Sequence, residues 1–237
     1  MLSCVVPIRN ESGNLSSLLS RILDVESISE VILVEGGSWD DSHEVAQKLS
    51  TKYQNVFLHK QIGDGKFDAV LQGVAEASNN AIIIWDADGT ISKEDTMDLI
   101  DLYLHEESLV TGDRLRGLRE KGAMRPLNFI GNHFFSMCFS ILLRRKPFDA
   151  LCGTKIFPKQ IFDRVPKKIL LKDPFGDFSI IFGAYLSGIP IKSVPTKYYS
   201  RKYGVSNIRR WRGGVQLLRV YFSCLIHSLF MPEIKKR

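Results

Sequence analysis

One short stretch constrains the fold of this chain more than any other. The four apolar residues 81–84 (AIII) lead through Trp85 directly into Asp86-Ala87-Asp88. An apolar run of this length is too short for a helix and is typical of a strand buried on both faces. Such strands belong to parallel sheets, where ligands bind beyond the carboxyl ends of the strands. The sequence therefore predicts an α/β fold with two acidic residues at one edge of its sheet.

The two aspartates suggest a metal site. Side chains alternate along an extended chain, so Asp86 and Asp88 are expected to point the same way. Two neighbouring carboxylates repel each other unless a positive charge lies between them. Mg²⁺ or Mn²⁺ prefers oxygen ligands and keeps coordination positions for phosphate oxygens. We expect Asp86 and Asp88 to be the metal ligands, and the motif alone leaves a solvated acidic turn as the alternative.

The rest of the first half alternates between strands and helices. Apolar runs at 4–6, 31–34 and 56–58 predict strands, the first of them ending at Pro7. Helices are predicted after the first two runs and over 68–77. The second half is expected to contribute a strand at 109–112 and a late edge strand at 189–195, which contains two prolines. This order predicts a Rossmann-like, mostly parallel sheet flanked by helices.

Three polar loops follow the predicted strands, at 7–11, 35–40 and 86–88. They are expected to converge at one edge of the sheet, where carboxylates can accept hydrogen bonds from ribose hydroxyls or base N–H groups. Lys66, on a glycine loop, is long enough to reach a phosphate. Taken singly, Glu11 can equally be an acid at a helix start, and Lys66 an ordinary surface lysine. Together the loops favour a nucleotide diphosphate with a metal.

Composition and charge narrow the class of protein. The 237 residues are 44% hydrophobic and 24% charged, which suits one large globular domain. The net charge of +6 favours anionic partners such as phosphates or an acidic membrane surface. No nucleic-acid-binding motif is present, so we expect no nucleic-acid partner. The first residues do not resemble a secretory signal and the four cysteines form no C-x-x-C pair, which predicts a cytoplasmic location with reduced thiols.

Two apolar stretches stand out in the second half. Residues 127–143 contain no charged side chain apart from His133 and are bounded by Arg125 and by 144–146 (RRK). A membrane-spanning helix needs about 20 residues, so we expect a helix that is buried or lies in the membrane interface. The stretch 215–231 is interrupted by polar residues and predicts an amphipathic surface helix.

Several motifs resemble those of family 2 glycosyltransferases. Residues 5–11 (VVPIRNE) are similar to the family's opening P-x-Y/R-N-E, residues 34–40 (VEGGSWD) to V-D-D-G-S-x-D, and residues 65–69 (GKFDA) to G-K-G-x-A. Asp86-Ala87-Asp88 matches the family's D-x-D. Three later segments resemble the polyprenyl-phosphate sugar transferase branch, which includes dolichol-phosphate mannosyltransferase: 149–155 (DALCGTK), 173–178 (DPFGDF) and 201–207 (RKYGVSN).

The resemblance implies a GT-A fold, a nucleotide-sugar donor (GDP- or UDP-sugar), a divalent metal and an inverting transfer to a lipid-phosphate or glycan acceptor. It implies a single domain over 1–237. Residues 1–115 would bind the donor, and 116–237 would bind the acceptor and carry a membrane-facing helix. The protein would then act peripherally at the inner face of the membrane.

The resemblance also implies roles for individual residues. Asp149 and Asp177 would lie near the transfer site or hold its basic residues, and either would be a candidate base if the acceptor were a sugar hydroxyl. The residues expected to take part in catalysis are Asp88, Asp149, Asp177 and Arg201. Those expected to bind the donor are Pro7, Asn10, Glu11, Glu35, Ser38, Asp40, Lys66, Asp68, Asp86, Ala87 and Asp88. Those expected to bind the acceptor or phosphates are Arg114, Arg125, Asn132, Arg201, Ser206 and Asn207.

The chain departs from the family pattern at three positions. Gly36 stands where an aspartate is usual, Phe67 replaces a glycine, and Asn207 replaces a lysine. These departures bear on which base, sugar or lipid is used. A soluble transferase and a catalytically inactive nucleotide-sugar-binding subunit are the alternatives. A sugar-phosphate nucleotidyltransferase would need a G-G-x-G-x-R loop, whose place here is taken by 7–11 (PIRNE).

Overall fold

The computed structural model describes residues 1–201, 203–204 and 210–230, with only the backbone for 210–212. The strands are β1 (Leu2–Ile8), β2 (Ile28–Glu35), β3 (Val56–Lys60), β4 (Ala81–Ile84), β5 (Leu109–Asp113), β6 (Lys155–Pro158) and β7 (Ile191–Pro195). They form a seven-stranded sheet in the order β3-β2-β1-β4-β6-β5-β7. Strand β6 is antiparallel to both of its neighbours, and the other pairs are parallel. The sheet is therefore mixed but mostly parallel.

Helices cover both faces of this sheet. They are α1 (Ser12–Leu23), α2 (Ser42–Lys52), α3 (Lys66–Glu76), α4 (Lys93–His105), α5 (Pro126–Leu143), α6 (Lys167–Leu170), α7 (Asp177–Ser187) and α8 (Arg210–Phe230), with a 3-10 helix at Lys159–Arg164. Helices α1, α2 and α4 pack in one apolar cluster with Cys4, Val6 and Ile83. Helices α3, α5, α7 and α8 pack in the other with Val5 and Ile82. Because neighbouring strand residues serve opposite faces, the predicted sheet flanked by helices is confirmed.

Strand β1 continues through Pro7, so the prediction that it ends there was wrong. Pro7 still pairs with β2. On the other side, Val5 accepts a hydrogen bond from the Trp85 N–H (3.1 Å), and pairing with β4 ends at Val5 and Ile84. Residues two apart in a strand point the same way, so the Pro7 nitrogen faces a place where β4 has already stopped. Because Pro7 has no neighbouring strand on that side, its missing N–H does not remove a hydrogen bond between β1 and β4.

The strand β6 was not predicted, although it lies in the centre of the sheet between β4 and β5. Its four residues begin with Lys155 and end with Pro158, which are unusual in a central strand. Lys155 is fully buried and forms an ion pair with Asp177 at the start of α7. This buried ion pair explains how a lysine can occupy the middle of the sheet. The predicted edge strand is confirmed, because β7 lies at the end of the described sheet, beside β5.

Helix α5 exposes one apolar face. Among the residues that the structure describes, it is the one helix long and apolar enough to cross a membrane, a criterion that a core helix of a soluble protein also meets. It buries Phe135, Phe139 and Leu142 against the core. The residues on its outer side, which we call the α5 apolar face, are 49% to 68% exposed: Leu127, Ile130, Phe134, Met137 and Ile141.

Helix α8 packs beside α5, with the rings of Phe139 and Tyr221 5.8 Å apart. It buries Leu217, Val220, Tyr221 and Cys224 at helical spacing, which agrees with the predicted amphipathic helix. The basic tail 235–237 lies outside the described residues.

Candidate active site

The loops after β1 and β2 are joined by hydrogen bonds. The Asn10 N–H donates to the Ser38 hydroxyl (2.9 Å), and the Asn10 side-chain oxygen accepts from the Trp39 N–H (2.9 Å). The Glu11 N–H donates to the hydroxyl of Ser42 at the start of α2 (2.8 Å). Asn10 has a φ of +59°, a region that asparagine tolerates better than most residues. The predicted convergence of these loops at the carboxyl ends of the strands is confirmed.

Glu35 and Asp40 use their carboxylates inside these loops. Glu35 is buried and accepts from the Ser38 N–H (2.6 Å). Asp40 accepts from the Ser12 N–H (3.2 Å) and from the Ser42 N–H (3.0 Å). Burial raises the pKa of both carboxyls, but these hydrogen bonds outweigh it and bring each pKa below its ordinary value. Both carboxylates are therefore ionised and shape the loops that surround the site.

Asp86 forms an ion pair with Lys66, whose Nζ lies 2.5 Å from Oδ1. Burial raises the pKa of Asp86, but the charges of Lys66, Lys155 and Arg114 lower it more, so the pKa lies below its ordinary value. Burial lowers the pKa of Lys66, and nearby carboxylates, Asp86 first, raise it above the ordinary value. A Cβ on Gly153 would lie only 2.0 Å from Asp86 Oδ2, so the loop carrying Gly153 closes tightly over this pair.

Asp88 forms its own ion pair with a different cation. Arg201 places Nη2 2.8 Å from Asp88 Oδ2 and Nη1 2.7 Å from Glu11 Oε1. The other oxygen of Asp88 accepts from the Thr90 N–H (3.1 Å) and hydroxyl (2.8 Å). Burial raises the pKa of Glu11 to about 7, against the opposing effects of Asn14 and Arg201. Arg201 thus joins the start of α1 to the end of β4.

A second set of ion pairs lies beside the first. Arg114, just after β5, binds Asp149 through two bonds, Nε to Oδ2 (2.6 Å) and Nη2 to Oδ1 (3.1 Å). Burial raises the pKa of Asp149, but Arg114 outweighs it and holds the pKa below its usual range. Lys155 lies 2.5 Å from Asp177 and also donates to the Cys152 carbonyl. Asp149 and Asp177 therefore each hold a basic residue, which is one of the two roles predicted for them.

Other predicted residues have local roles or lie apart. Asp68 accepts a hydrogen bond from the Asp64 N–H (3.0 Å) and stabilises the loop before α3. Ala87 packs in the core, and Pro7 is half-buried in β1. Among the described residues, no hydrogen bond or ion pair links Arg125 or Asn132 to the strand-end carboxylates. Two further predicted residues lie outside the described part of the chain, namely Ser206 and Asn207.

Two residues beside Asp86 were not predicted as part of the site. Lys155 belongs to a motif noted in the sequence, but a lysine in a short apolar run gives no signal that it is buried. Gly153 matters because of its close approach to Asp86, which depends on the fold. Both come from the β6 region, whose place beside β4 was not evident from the sequence.

This edge of the sheet carries cations and carboxylates in close alternation. Arginine and lysine bind phosphate oxygens strongly, arginine through two bonds. Carboxylates accept hydrogen bonds from hydroxyls and base N–H groups. The arrangement is therefore suited to an anionic ligand that is rich in hydroxyls, such as a sugar nucleotide.

Comparison with known proteins identifies the family to which this chain belongs. The model of glycosyl transferase family 2 matches residues 3–166, about two thirds of the chain. This chain belongs to glycosyltransferase family 2. It is 27% identical over 176 residues to a dolichyl-phosphate beta-glucosyltransferase of Trichomonas vaginalis, covering 67% of this chain and 53% of the relative. It is 31% identical over 115 residues to the dolichol-phosphate mannosyltransferase of Pyrococcus furiosus, covering 48% of this chain and 33% of the relative.

A third family 2 relative is the poly-beta-1,6-N-acetyl-D-glucosamine synthase of Staphylococcus aureus. It is 29% identical over 107 residues, which cover 44% of this chain and 26% of the relative. The chain thus spans about half, or less, of the length of these curated relatives. The resemblance to the dolichol-phosphate branch is confirmed at modest identity.

Solved structures confirm the GT-A fold. Glucosyl-3-phosphoglycerate synthase of Mycobacterium tuberculosis matches with a TM-score of 0.69 at 16% identity, covering 95% of this chain and 80% of that protein. The same enzyme has been crystallised with Mn²⁺ and UDP-glucose, and that form matches with a TM-score of 0.66 at 17% identity. At this identity the likeness establishes the fold alone.

Proposed function

We propose that this chain is an inverting, metal-dependent glycosyltransferase that moves a sugar from a GDP- or UDP-sugar to a polyprenyl phosphate or another lipid-linked acceptor. The observation that carries the proposal is the pairing of the strand-end carboxylates Asp86 and Asp88 with Lys66 and Arg201, beside the partly buried Arg114. Membership of family 2 supports the reaction class. The names of two relatives, a dolichyl-phosphate glucosyltransferase and a dolichol-phosphate mannosyltransferase, support the acceptor class.

The donor set fits a divalent metal. Asp86 and Asp88 offer carboxylate oxygens, which Mg²⁺ and Mn²⁺ prefer. Within the described part of the chain, no group of three His, Cys, Asp or Glu side chains is placed to hold a metal. Mg²⁺ is commonly held by one or two carboxylates together with substrate phosphates, so two protein ligands are enough. The bound ion would neutralise charge on the diphosphate leaving group.

The basic residues would also stabilise the negative charge on the leaving diphosphate. Lys66 and Arg201, which form ion pairs with the two aspartates, would bind donor phosphates as negative charge builds on the leaving diphosphate. Glu11, Glu35 and Asp40 would surround the nucleoside with Asn10 and Ser38. Residues 1–115 would thus bind the donor, with Arg201 reaching its phosphates from the second half. Residues 116–237, together with Arg114, would receive the acceptor.

The state of the carboxylates favours an acceptor that is already an anion. Asp149 and Asp177, the candidate bases, are each bound to a cation at 2.6 Å or closer. Asp149 also has a pKa below its usual range, which makes it a weak base. A lipid phosphate needs no strong base, only alignment with the anomeric carbon. An acceptor with a neutral hydroxyl would need a base other than these two aspartates.

The α5 apolar face supports a membrane surface as partner. Its five side chains are 49% to 68% exposed along one side of the helix. The basic residues Arg125, Arg144 and Lys146 lie at its two ends and are suited to anionic lipid headgroups. We propose a peripheral position on the cytoplasmic face of the membrane, with this helix lying in the interface.

Transfer is tested with purified protein, Mg²⁺ or Mn²⁺, and UDP-glucose or GDP-mannose as donor, with a polyprenyl phosphate in vesicles as acceptor. We expect glycolipid to form with one donor and Asp88→Ala to abolish metal-dependent turnover while the circular dichroism spectrum is unchanged. Asp101→Ala, an exposed aspartate on α4, is the matched control. Full activity of Asp88→Ala would overturn the proposed metal site.

Membrane binding is tested separately by flotation with vesicles that contain anionic lipid. We expect Ile130→Ser with Met137→Ser to reduce the bound fraction severalfold. Leu104→Ser, at a similarly exposed leucine on α4 (55%), should bind as the wild type does. Transfer to a water-soluble acceptor without any vesicle binding would favour the alternative of a soluble transferase. Donor binding without transfer or donor hydrolysis would favour an inactive binding subunit.

A further inference from the structure

Gln61 occupies a position at the site that none of the motifs includes. It follows β3 directly, and its N–H donates to the Glu35 carbonyl (2.8 Å) at the end of β2. Its side-chain Nε2 donates to the Gly65 carbonyl (2.8 Å), just before α3. Its Oε1 would lie 2.5 Å from a Cβ on Gly36, and the Ile8 carbonyl oxygen would lie 3.4 Å from that Cβ. The amide therefore sits over the carboxyl ends of β1 and β2.

Gly36 leaves room for this side chain. Its neighbour Gly37 has a φ of +69°, where glycine is favoured, but Gly36 is not among the residues of positive φ. The backbone would therefore accept another residue at position 36. A Cβ there would lie 2.5 Å from Gln61 Oε1, so the Gln61 amide would have to move aside to admit it. Gly36 and Gln61 thus form one structural unit at the edge of the site.

The hydrogen bond to Gly65 fixes which end of the amide is free. A carbonyl oxygen can only accept, so the amide nitrogen of Gln61 must face the Gly65 carbonyl and Oε1 must face away from it. Gln61 is half-buried, and among the residues that the structure describes no donor reaches its Oε1. A glutamine that is free to rotate offers a donor or an acceptor, but this one offers an acceptor alone.

We propose that Gln61 reads the nucleobase of the donor, with Oε1 accepting the ring N–H of uracil or guanine. This inference rests on the proposed function, because it assigns a contact within the same donor site. The corresponding ring nitrogen of cytosine and adenine carries a lone pair in place of the N–H. It is an acceptor like Oε1, so the two atoms could form no hydrogen bond. A site built to hydrogen-bond a donor group discriminates against an analogue that lacks it.

The test compares binding of UDP, GDP, CDP and ADP, each with Mg²⁺, by isothermal titration calorimetry. The wild type should bind UDP or GDP about 5- to 10-fold more tightly than CDP and ADP, the effect expected for one hydrogen bond of about 1 kcal/mol. Gln61→Ala should remove this preference by weakening UDP or GDP binding while leaving CDP and ADP binding nearly unchanged. A loss that is equal for all four nucleotides would overturn the proposal.

Two further variants separate base reading from loop structure. Gln72 holds the same loop, donating to the Lys60 carbonyl (3.0 Å) and accepting from the Ile62 N–H (2.8 Å). Gln72→Ala should keep the base preference, and a preference lost in Gln72→Ala but kept in Gln61→Ala would mean that the loop and not the Gln61 amide sets it, which would overturn the proposal. Gly36→Ala should displace the amide and reduce the preference as Gln61→Ala does, with no added effect in the double variant.

The outcomes also distinguish the two proposals from each other. Wild-type binding of no nucleoside diphosphate would overturn the donor site itself and, with it, the role of Gln61. Nucleotide binding that is unchanged in Gln61→Ala would overturn the role of Gln61 and leave the proposed function standing.

Discussion

Removing the carboxylate of Asp149 should destabilise the fold strongly. The Asp149 side chain is fully buried, and the Arg114 guanidinium that it binds through two bonds is only 12% exposed. Asp149→Ala would leave that guanidinium without the carboxylate that binds it. Breaking a buried pair by removing one partner costs about 3–5 kcal/mol. For a domain of this size we therefore expect the midpoint of thermal unfolding to fall by about 6–20 °C.

Urea unfolding followed by circular dichroism measures this loss, with two comparison variants. Asp149→Ala with Arg114→Met should recover part of it, because no charge is then buried alone. Glu106→Ala removes a surface ion pair, Lys192 to Glu106 at 3.1 Å, whose side chains are 42% and 47% exposed. That control should cost less than about 1 kcal/mol.

The same pair predicts a dependence on pH. Because the pKa of Asp149 lies below its usual range in the folded protein, the stability it contributes is present above the pKa of the unfolded chain. That contribution is lost as pH falls through the folded pKa, so wild type and Asp149→Ala should converge in acid. A loss below about 1 kcal/mol at neutral pH, or a double variant no more stable than the single one, would refute the reasoning.

Two more predictions concern the site. Burial raises the pKa of Glu11 from 4.5 to about 7, so between these values the folded protein holds a proton that the unfolded chain has released, and the free energy of unfolding should rise as pH falls through this window. Denaturant titrations from pH 8 to pH 5 should show this rise in the wild type beyond that of Glu11→Gln, and identical slopes would contradict it. Gly153→Ala would place a Cβ 2.0 Å from Asp86 Oδ2, so calorimetry with Mg²⁺ and nucleoside diphosphates should show about tenfold weaker binding. Gly131→Ala on α5, where a Cβ meets nothing within 4 Å, is the control and should bind as the wild type does.

The parts of the fold that follow from local pattern were predictable. Buried strands such as β2 and β4 are short, apolar and followed by polar loops, and parallel pairing brings the ends of such strands together. This pattern was enough to predict that the loops carrying Asn10, Ser38 and Asp88 meet at one edge of the sheet. The edge position of β7 followed from Pro195 and from Pro190 just before the strand.

Contacts between distant segments were not predictable in the same way. The sequence around Lys155 has neither alternation nor length to indicate a central strand, and the ion pair with Asp177 that accompanies its burial joins residues 22 positions apart. Likewise, Asp86 and Asp88 could be predicted as carboxylates on one edge, but their separate partners Lys66 and Arg201 come from other parts of the chain. The close approach of Gln61 to Gly36 depends on strand register, which a single sequence does not state.

The position of β6 has a consequence for how the chain reaches its folded state. Strand β4 ends at Ile84, but the strand that pairs with its other edge begins only at Lys155, about 70 residues later. During synthesis, the backbone N–H and C=O groups on one edge of β4 stay unpaired until β6 has been made. Pairing between strands that are so far apart in sequence is slow. We expect a fragment ending at residue 115 to aggregate, and full-length refolding to be rate-limited by the docking of β6. Strand β4 therefore gains its second neighbour only after β6, from the second half of the chain, has been made.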